Sequence, residues 1–479
     1  MAKKDYNIIA IGGGSAGLVS AYIGSVVKAR VALIEKHQMG GDCLNTGCVP
    51  SKALLRSAKI LSYIKRSQDF GLKSAQVDFD FPDVMGRVHD VIKKVAPHDS
   101  IERYTKLGVD CYTGSAKILS PHEVEVNGKT LTTKNIIIAT GARPAIPPIP
   151  GLDQVDYLTT DTIWNLNKLP EKLVVMGGGP IGCELAQCFA RLGSEVTIVE
   201  MLPDILIRED EEASRMVRQK FIAEGVDVRI NSRCKEVVVQ DGKNYMLVEK
   251  DGTTDWVEFD QLLVAVGRAA NAKGFGLEDI GVKLGPRGTV EVDQYLRTTT
   301  HKNIYACGDV AGPFQFTHTA AHQAWYCAVN ALFSPFKKFK VDYSVIPWAT
   351  FTDPEVARVG LNEKDAKEQG IPYEVATYGI DDLDRAIADS EDKGYVKVLT
   401  PPGKDTILGV TIVGYHAGDL ITEYVLAMKH GLGLNKILGT IHIYPTMAEA
   451  NKYAAGIWKK NHAPTGLLNF IQKFHAWRR

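Results

Sequence analysis

Apolar residues fall along this chain in short, nearly unbroken runs that end at glycine, the pattern of strands buried on both faces. The first, Tyr6–Ile11, enters Gly12-Gly13-Gly14-Ser15-Ala16-Gly17; an Ala- and Val-rich helical stretch follows, then a second run over 30–34 closed by Glu35. The same order returns 165 residues later, with a run at 172–176, glycines 177, 179 and 182, a helical stretch over 183–192, and a run at 195–199 closed by Glu200. Two further runs resemble each other, 136–138 leading into Ala139-Thr140-Gly141 and 262–266 leading into Gly267-Arg268. A third, 303–307, leads to Gly308-Asp309. Pro144, Pro147, Pro148 and Pro150 form a stiff link between the two halves. After Pro347 the runs at 394–399 and 408–413 are separated by helical stretches, and no third glycine triplet occurs. The pattern predicts an α/β chain with two Rossmann-like units and a separate α+β C-terminal domain.

Each glycine triplet has the spacing G-x-G-x-x-G between a strand and a helix. Its glycines serve the tight turn, close approach of a pyrophosphate and packing of helix on strand, and an acid at the end of the second strand can bind ribose hydroxyls. Gly12, Gly14, Gly17 and Glu35 form one such set; Gly177, Gly179, Gly182 and Glu200 form the other. Two dinucleotides are therefore expected. Glu200 repels a 2′-phosphate and accepts from a free 2′-hydroxyl, and no Arg follows it directly, so NAD(H) is expected over NADP(H) at the second unit.

Lys+Arg and Asp+Glu are equal at 56 each, which gives no footprint for nucleic acid. The N-terminal apolar run passes straight into the glycine turn without a small-residue cleavage site, and no stretch of 18 apolar residues occurs, so the sequence is read as cytoplasmic. Six of the eight cysteines (111, 183, 188, 234, 307 and 327) lie in apolar or mixed segments and read as buried thiols, a usage that suits a reducing compartment. Cys43 and Cys48 differ. They sit five apart in Gly40-Gly41-Asp42-Cys43-Leu44-Asn45-Thr46-Gly47-Cys48-Val49-Pro50-Ser51-Lys52, at the head of a helical stretch. A thiol there is stabilised as thiolate, and a close pair can cycle between dithiol and disulfide, carrying two electrons.

With these motifs together, the chain resembles the class I flavoprotein disulfide reductases, the family of dihydrolipoamide dehydrogenase, glutathione reductase and mercuric reductase. The resemblance implies FAD at the first triplet and Glu35, NADH at the second triplet and Glu200, and Asp309 on the ribityl chain. It adds Gly41, Lys52, Ala116, Thr140, Gly141, Thr317 and Gly267 to the cofactor contacts. It further implies a redox disulfide between Cys43 and Cys48, with Cys48 against the flavin ring as thiolate and Cys43 meeting the substrate. Lys52 is expected near the flavin, paired with Glu184. No resident metal is expected. The implied ranges are 1–150 for the first part of the FAD domain, 151–270 for the NAD domain, 271–346 for the return to the FAD domain, and 347–479 for the interface domain of a homodimer.

The chain departs from that family at one position. Thiol-directed members carry His-Pro-x-x-x-Glu, the His acting as base from the other subunit; here the segment reads His442-Ile443-Tyr444-Pro445-Thr446-Met447-Ala448-Glu449. Tyr444 holds the base position and Glu449 the orienting position. A phenol titrating near 10 is a poor base at neutral pH. Three readings stay open: an acceptor that needs little proton transfer, such as a metal ion, as in mercuric reductases, which also carry Tyr here; substitution by His442, which two residues away on an extended segment faces the same way; or a packing replacement in an enzyme for another disulfide. A lipoyl-type disulfide or dithiol is the first expectation for the substrate and a metal ion the second. Against the latter, the chain ends without the cysteine pair of mercuric reductases and begins directly at the FAD strand. A flavoprotein binding or redox component of a larger assembly is the reading from another class.

The last residues carry an apolar helical stripe (Leu467, Leu468, Phe470, Ile471, Phe474 and Trp477) beside Lys473, Arg478 and Arg479. It can dock on a membrane surface or a partner; packing on its own dimer is the preferred reading.

Overall fold

The computed structural model describes residues 3–334 and 336–479; Met1, Ala2 and Pro335, which fall within the expected ranges 1–150 and 271–346, lie outside the described residues. Two compact units are present.

The first unit holds the residues up to Ile64, Gln76–Met201 and Arg229–Asp342. Its larger sheet runs Val109–Thr113, Val31–Glu35, Tyr6–Ile11, Lys129–Ile138, all parallel, with Ile304–Ala306 on the far side of Lys129–Ile138. Ile8, Ile9, Ala10, Ile136, Ile137 and Ile138 are fully buried, as expected for central strands covered on both faces. The first half of Lys129–Ile138 instead pairs antiparallel with Glu123–Val126, which pairs with Ala116–Ser120. A second parallel sheet takes the order Glu195–Val199, Lys172–Met176, Gln261–Val264, Tyr157–Leu158. An antiparallel meander, Arg233–Gln240, Lys243–Lys250 and Thr253–Phe259, shares its core. The repeat in the sequence is thus a repeat of structure: strand, glycine turn, helix (Ser15–Val26 or Pro180–Leu192), strand.

The second unit comprises Tyr343–Arg479 with Lys65–Ala75 and Leu202–Val228. Its sheet is antiparallel, in the order Pro347–Thr350, Glu355–Gly360, Gly409–Gly414, Tyr395–Thr400, Glu374–Gly379. The helices Ala417–Lys429 and Glu449–Asn461 contribute Ile421, Tyr424, Ala450, Ala454 and Trp458 to its core. The two added segments come from the ranges assigned by sequence to the FAD and NAD domains, and ion pairs hold them here. Arg66 pairs with Glu391 and donates to the Ser390 carbonyl at 2.9 Å. The Trp348 indole donates to Glu209 at 2.8 Å. The buried ammonium of Lys397 lies among Asp210, Glu212 and Glu363, at 3.1 Å from Asp210 and 2.8 Å from Glu363. The three carboxylates stand close enough to suggest a metal site, but the lysine supplies their cation.

Candidate active site and family

The segment carrying Cys43 and Cys48 folds as two helices meeting at a glycine. Gly41–Asn45 is a single turn carrying Cys43, and Cys48 is the first residue of the 18-residue helix Cys48–Lys65. Gly40, at φ +89°, turns the chain into the first helix. The Asn45 amide braces the segment, donating to the carbonyls of Met39 at 3.0 Å and Gly41 at 2.9 Å. Trp164 donates its indole N–H to the Thr46 carbonyl at 2.9 Å, fixing the stretch between the cysteines.

Both cysteines are unbonded thiols, Cys43 half-buried and Cys48 exposed. The hydrogen bond from Cys43, followed by the Thr317 hydroxyl at 3.4 Å and the Lys52 charge, outweighs burial and lowers Cys48 to about 6. The same bond, with burial, pushes Cys43 far above the ordinary thiol range. The pair therefore shares one proton at neutral pH, held on Cys43, with the thiolate at the helix N-terminus. Among the other thiols, burial raises Cys234 to about 11, and it also raises Cys188 and Cys327. Cys111 is only half-buried, a correction to its reading as a buried thiol, because its strand Val109–Thr113 is an edge of the sheet.

Lys52, one turn beyond Cys48, donates to Glu184 at 2.8 Å. Glu184 is buried near the start of Pro180–Leu192, so the pair joins the redox helix to the second glycine unit.

The two glycine turns repeat in detail. Glu35 accepts from the Gly13 amide at 2.6 Å, and Glu200 accepts from the Gly178 amide at 2.6 Å. A Cβ on Gly12 would strike the Ala139 carbonyl, and one on Gly177 the Ala265 carbonyl, so the protein itself demands glycine there. The middle glycines differ. A Cβ on Gly179 would meet nothing within 4 Å, and one on Gly14 only the Gly41 Cα, at 3.7 Å. Each of these glycines caps a helix without a side-chain bond, leaving free amides toward open space. That cradle, bare of protein and lined by N–H groups, fits a pyrophosphate in both units. Gly12, Gly14, Gly17 and Glu35 would hold FAD, and Gly177, Gly179, Gly182 and Glu200 a nicotinamide dinucleotide.

Thr140 donates to the Asn271 carbonyl at 2.7 Å, the Asn271 amide answers to the Thr140 carbonyl at 3.0 Å, and its backbone N–H reaches the Gly141 carbonyl at 3.0 Å. Gly267 accepts from the Ala145 amide at 2.9 Å, so the two similar glycine-ended runs are knitted together. Ala116 opens a half-buried strand on the same sheet. Arg268 is a residue the sequence reading missed. It pairs with Asp42, next to Cys43, and lies 3.3 Å from Asp309. Burial raises Asp309, and Arg268 opposes that rise. The only local signal was its position directly after Gly267.

In the second unit, Tyr444 is 65% exposed and donates to Asp384 at 2.9 Å. That bond raises the phenol further above its ordinary value. Glu449 is buried and accepts from the Thr446 amide at 3.3 Å and the Tyr453 hydroxyl at 3.4 Å. The expectation that His442 faces the same way as Tyr444 is corrected. Residues 441–446 form no strand. The His442 side chain is 6% exposed, with Nε2 at 2.9 Å from Glu423 and Nδ1 at 3.0 Å from the Thr440 carbonyl. Both ring nitrogens are engaged within its own unit, because Glu423 draws the ring inward.

Residues 6–324 match the pyridine nucleotide-disulphide oxidoreductase family, and residues 346–455 match its dimerisation domain, which supports a homodimer. A mercuric reductase of Bacillus cereus is 36% identical over 458 residues, covering 95% of this chain and 72% of that protein. A dihydrolipoyl dehydrogenase of Chlamydia pneumoniae is 36% identical over 451 residues, covering 93% and 95%. Among solved structures, the HOCl-induced flavoprotein disulfide reductase RclA from Escherichia coli superposes with a TM-score of 0.84 at 28% identity, covering 94% of this chain and all of that one. The same protein in its Cu(II) complex gives a TM-score of 0.83 at 27% identity, covering 93% and 98%. Relatives of both kinds span nearly the full chain, and FAD and a nicotinamide dinucleotide are the family's cofactors; the chain belongs to the pyridine nucleotide-disulphide oxidoreductases, flavoprotein enzymes that pass electrons through a disulfide centre.

Proposed function

We propose that the chain is an NADH-preferring enzyme that delivers electron pairs through Cys43 and Cys48 to a thiophilic metal ion. FAD, which Gly12, Gly14, Gly17 and Glu35 would hold, would supply the two-electron relay between NADH and the cysteine disulfide. The residues then do the rest. Cys48 rests as thiolate at its helix N-terminus, and Cys43 keeps the shared proton and presents its sulfur to the acceptor. The carrying observation is the bond from Tyr444 to Asp384, which keeps the phenol protonated and so still less available to take a proton at neutral pH, while His442 is tied to Glu423. An acceptor that coordinates sulfur directly needs no general base there. For a two-electron ion such as Hg(II), one NADH gives one reduced metal atom, NAD⁺ and a proton; for Cu(II), it gives two Cu(I). A Cu(II) complex of a similar flavoprotein disulfide reductase and mercuric reductases among the relatives support this reading.

The second reading is a lipoyl-type disulfide or dithiol. The retained Pro445 and buried Glu449 favour it, as do the dihydrolipoyl dehydrogenase relatives. The preference for NADH rests on Glu200, and the cytoplasmic setting on the cysteine usage. An anaerobic screen of NADH oxidation with Cu(II), Hg(II), lipoamide and glutathione disulfide separates the readings. Turnover with a metal ion well above that with lipoamide supports the first; the reverse order overturns it.

A further inference from the structure

The helix Thr465–Arg478 buries none of its residues on its own chain. Leu467, Leu468, Phe470, Phe474 and Trp477 are all exposed, Trp477 at 81%. At the helical period, these residues and Ile471 occupy an arc about 180° wide, with Thr465, Asn469, Gln472 and Lys473 opposite. Charge singles out the same segment. The chain is balanced overall, yet residues 459–479 carry Lys459, Lys460, Lys473, Arg478 and Arg479 and no Asp or Glu. Arg478 falls within the apolar arc with its guanidinium 5.6 Å from the Phe474 ring, the reach of a side chain that lays its stem on apolar surface and its head in water.

We propose that this helix docks the protein on an anionic lipid surface, its aromatic face in the headgroup boundary and its cations among the lipid phosphates. An apolar, aromatic face beside unpaired positive charge is the composition such interfacial helices share. A planar interface accepts the whole arc at once and lets Arg478 and His475 turn outward, whereas a protein groove must match each ring singly. A second copy of this chain is the weaker occupant. The matched dimerisation domain ends at residue 455, and it has its own exposed apolar patch at Ile441 and Ile443. The helix does not span, since no helix among the described residues is long and apolar enough to cross a membrane. The inference is independent of the electron acceptor.

The test is sedimentation of the full-length holoenzyme with vesicles of phosphatidylglycerol or phosphatidylcholine. At about fivefold per cation near the surface, Arg478 and Arg479 predict about a twenty-five-fold preference for the anionic vesicles. Phe470→Glu with Trp477→Glu should abolish binding while leaving NADH oxidation unchanged. Brominated acyl chains should quench a fluorescence component that Trp477→Phe removes. Failure to bind anionic vesicles at low salt, binding that survives the double substitution, or a dimer that falls apart in the double variant would each overturn the proposal.

Discussion

Lys52 and Glu184 meet at 2.8 Å, joining the helix headed by a redox thiol to the helix headed by the second glycine triplet. The Lys52 charge lowers Cys48 and the Glu184 charge raises it. Lys52→Met should therefore move the thiolate midpoint of the reduced pair above about 6, and Glu184→Gln should move it below. Ultraviolet thiolate absorbance followed against pH reads both; shifts in the same direction would contradict the assignment.

The proton distribution makes the two cysteines unequal. Cys43→Ser removes the first contributor to the low value of Cys48, whose titration should rise toward the ordinary thiol range. Cys48→Ser takes away the largest cause of the Cys43 rise, but burial still holds that thiol above its ordinary value, so little thiolate should be left at neutral pH. In the holoenzyme the latter change should also remove the long-wavelength absorbance of the two-electron-reduced form.

Much of this arrangement was legible in the sequence. Central strands announce themselves as unbroken apolar runs ended by glycine, because burial on both faces leaves no place for polar residues. The pairing of Lys52 with Glu184, 132 residues apart, was implied by the family resemblance and not by any local pattern. What local pattern cannot show is side-chain reach from one element to another. Arg268 with Asp42 and Asp309, Trp164 on the Thr46 carbonyl, and the 202–228 segment held by Lys397, Arg358 and Trp348 are all of that kind. The orientation of His442 was misjudged for the same reason: Glu423 turns it, nineteen residues away.

Lys397→Met should cost about 3–5 kcal/mol, since it leaves the carboxylates of Asp210, Glu212 and Glu363 facing one another with only the exposed Lys367, 3.8 Å from Glu363, as a nearby cation. The pH dependence should reverse as well. In the native protein Glu363 is held below its ordinary value with Lys397 beside it, so its contribution is present above about pH 4.5 and fades on acidification. In the variant, protonation relieves repulsion, and the melting temperature should rise from pH 7 to pH 5. A parallel fall in both proteins would contradict this.

Glu200 accepts from the Gly178 amide at 2.6 Å, and if it holds the dinucleotide ribose as proposed, NADH should be preferred to NADPH by at least about tenfold in kcat/KM. Glu200→Ser should narrow that ratio through KM for NADPH. An unchanged ratio would remove the role given to this carboxylate.

Tyr444→Phe should change metal-ion turnover by less than about twofold, whereas Tyr444→His should raise lipoamide turnover toward the ~10²–10⁴ that a positioned base supplies. Steady-state rates on both acceptors check it; a large loss in Tyr444→Phe with the metal ion would give the phenol a direct part.

The central claim is that electrons from NADH leave through Cys43 and Cys48. Its most direct test is anaerobic reduction of the oxidised holoenzyme with one equivalent of NADH, followed by alkylation and mass spectrometry of the peptides. The account predicts that both Cys43 and Cys48 become newly alkylated while the flavin returns to its oxidised spectrum. A flavin that stays reduced with no new thiols at these two positions would contradict it.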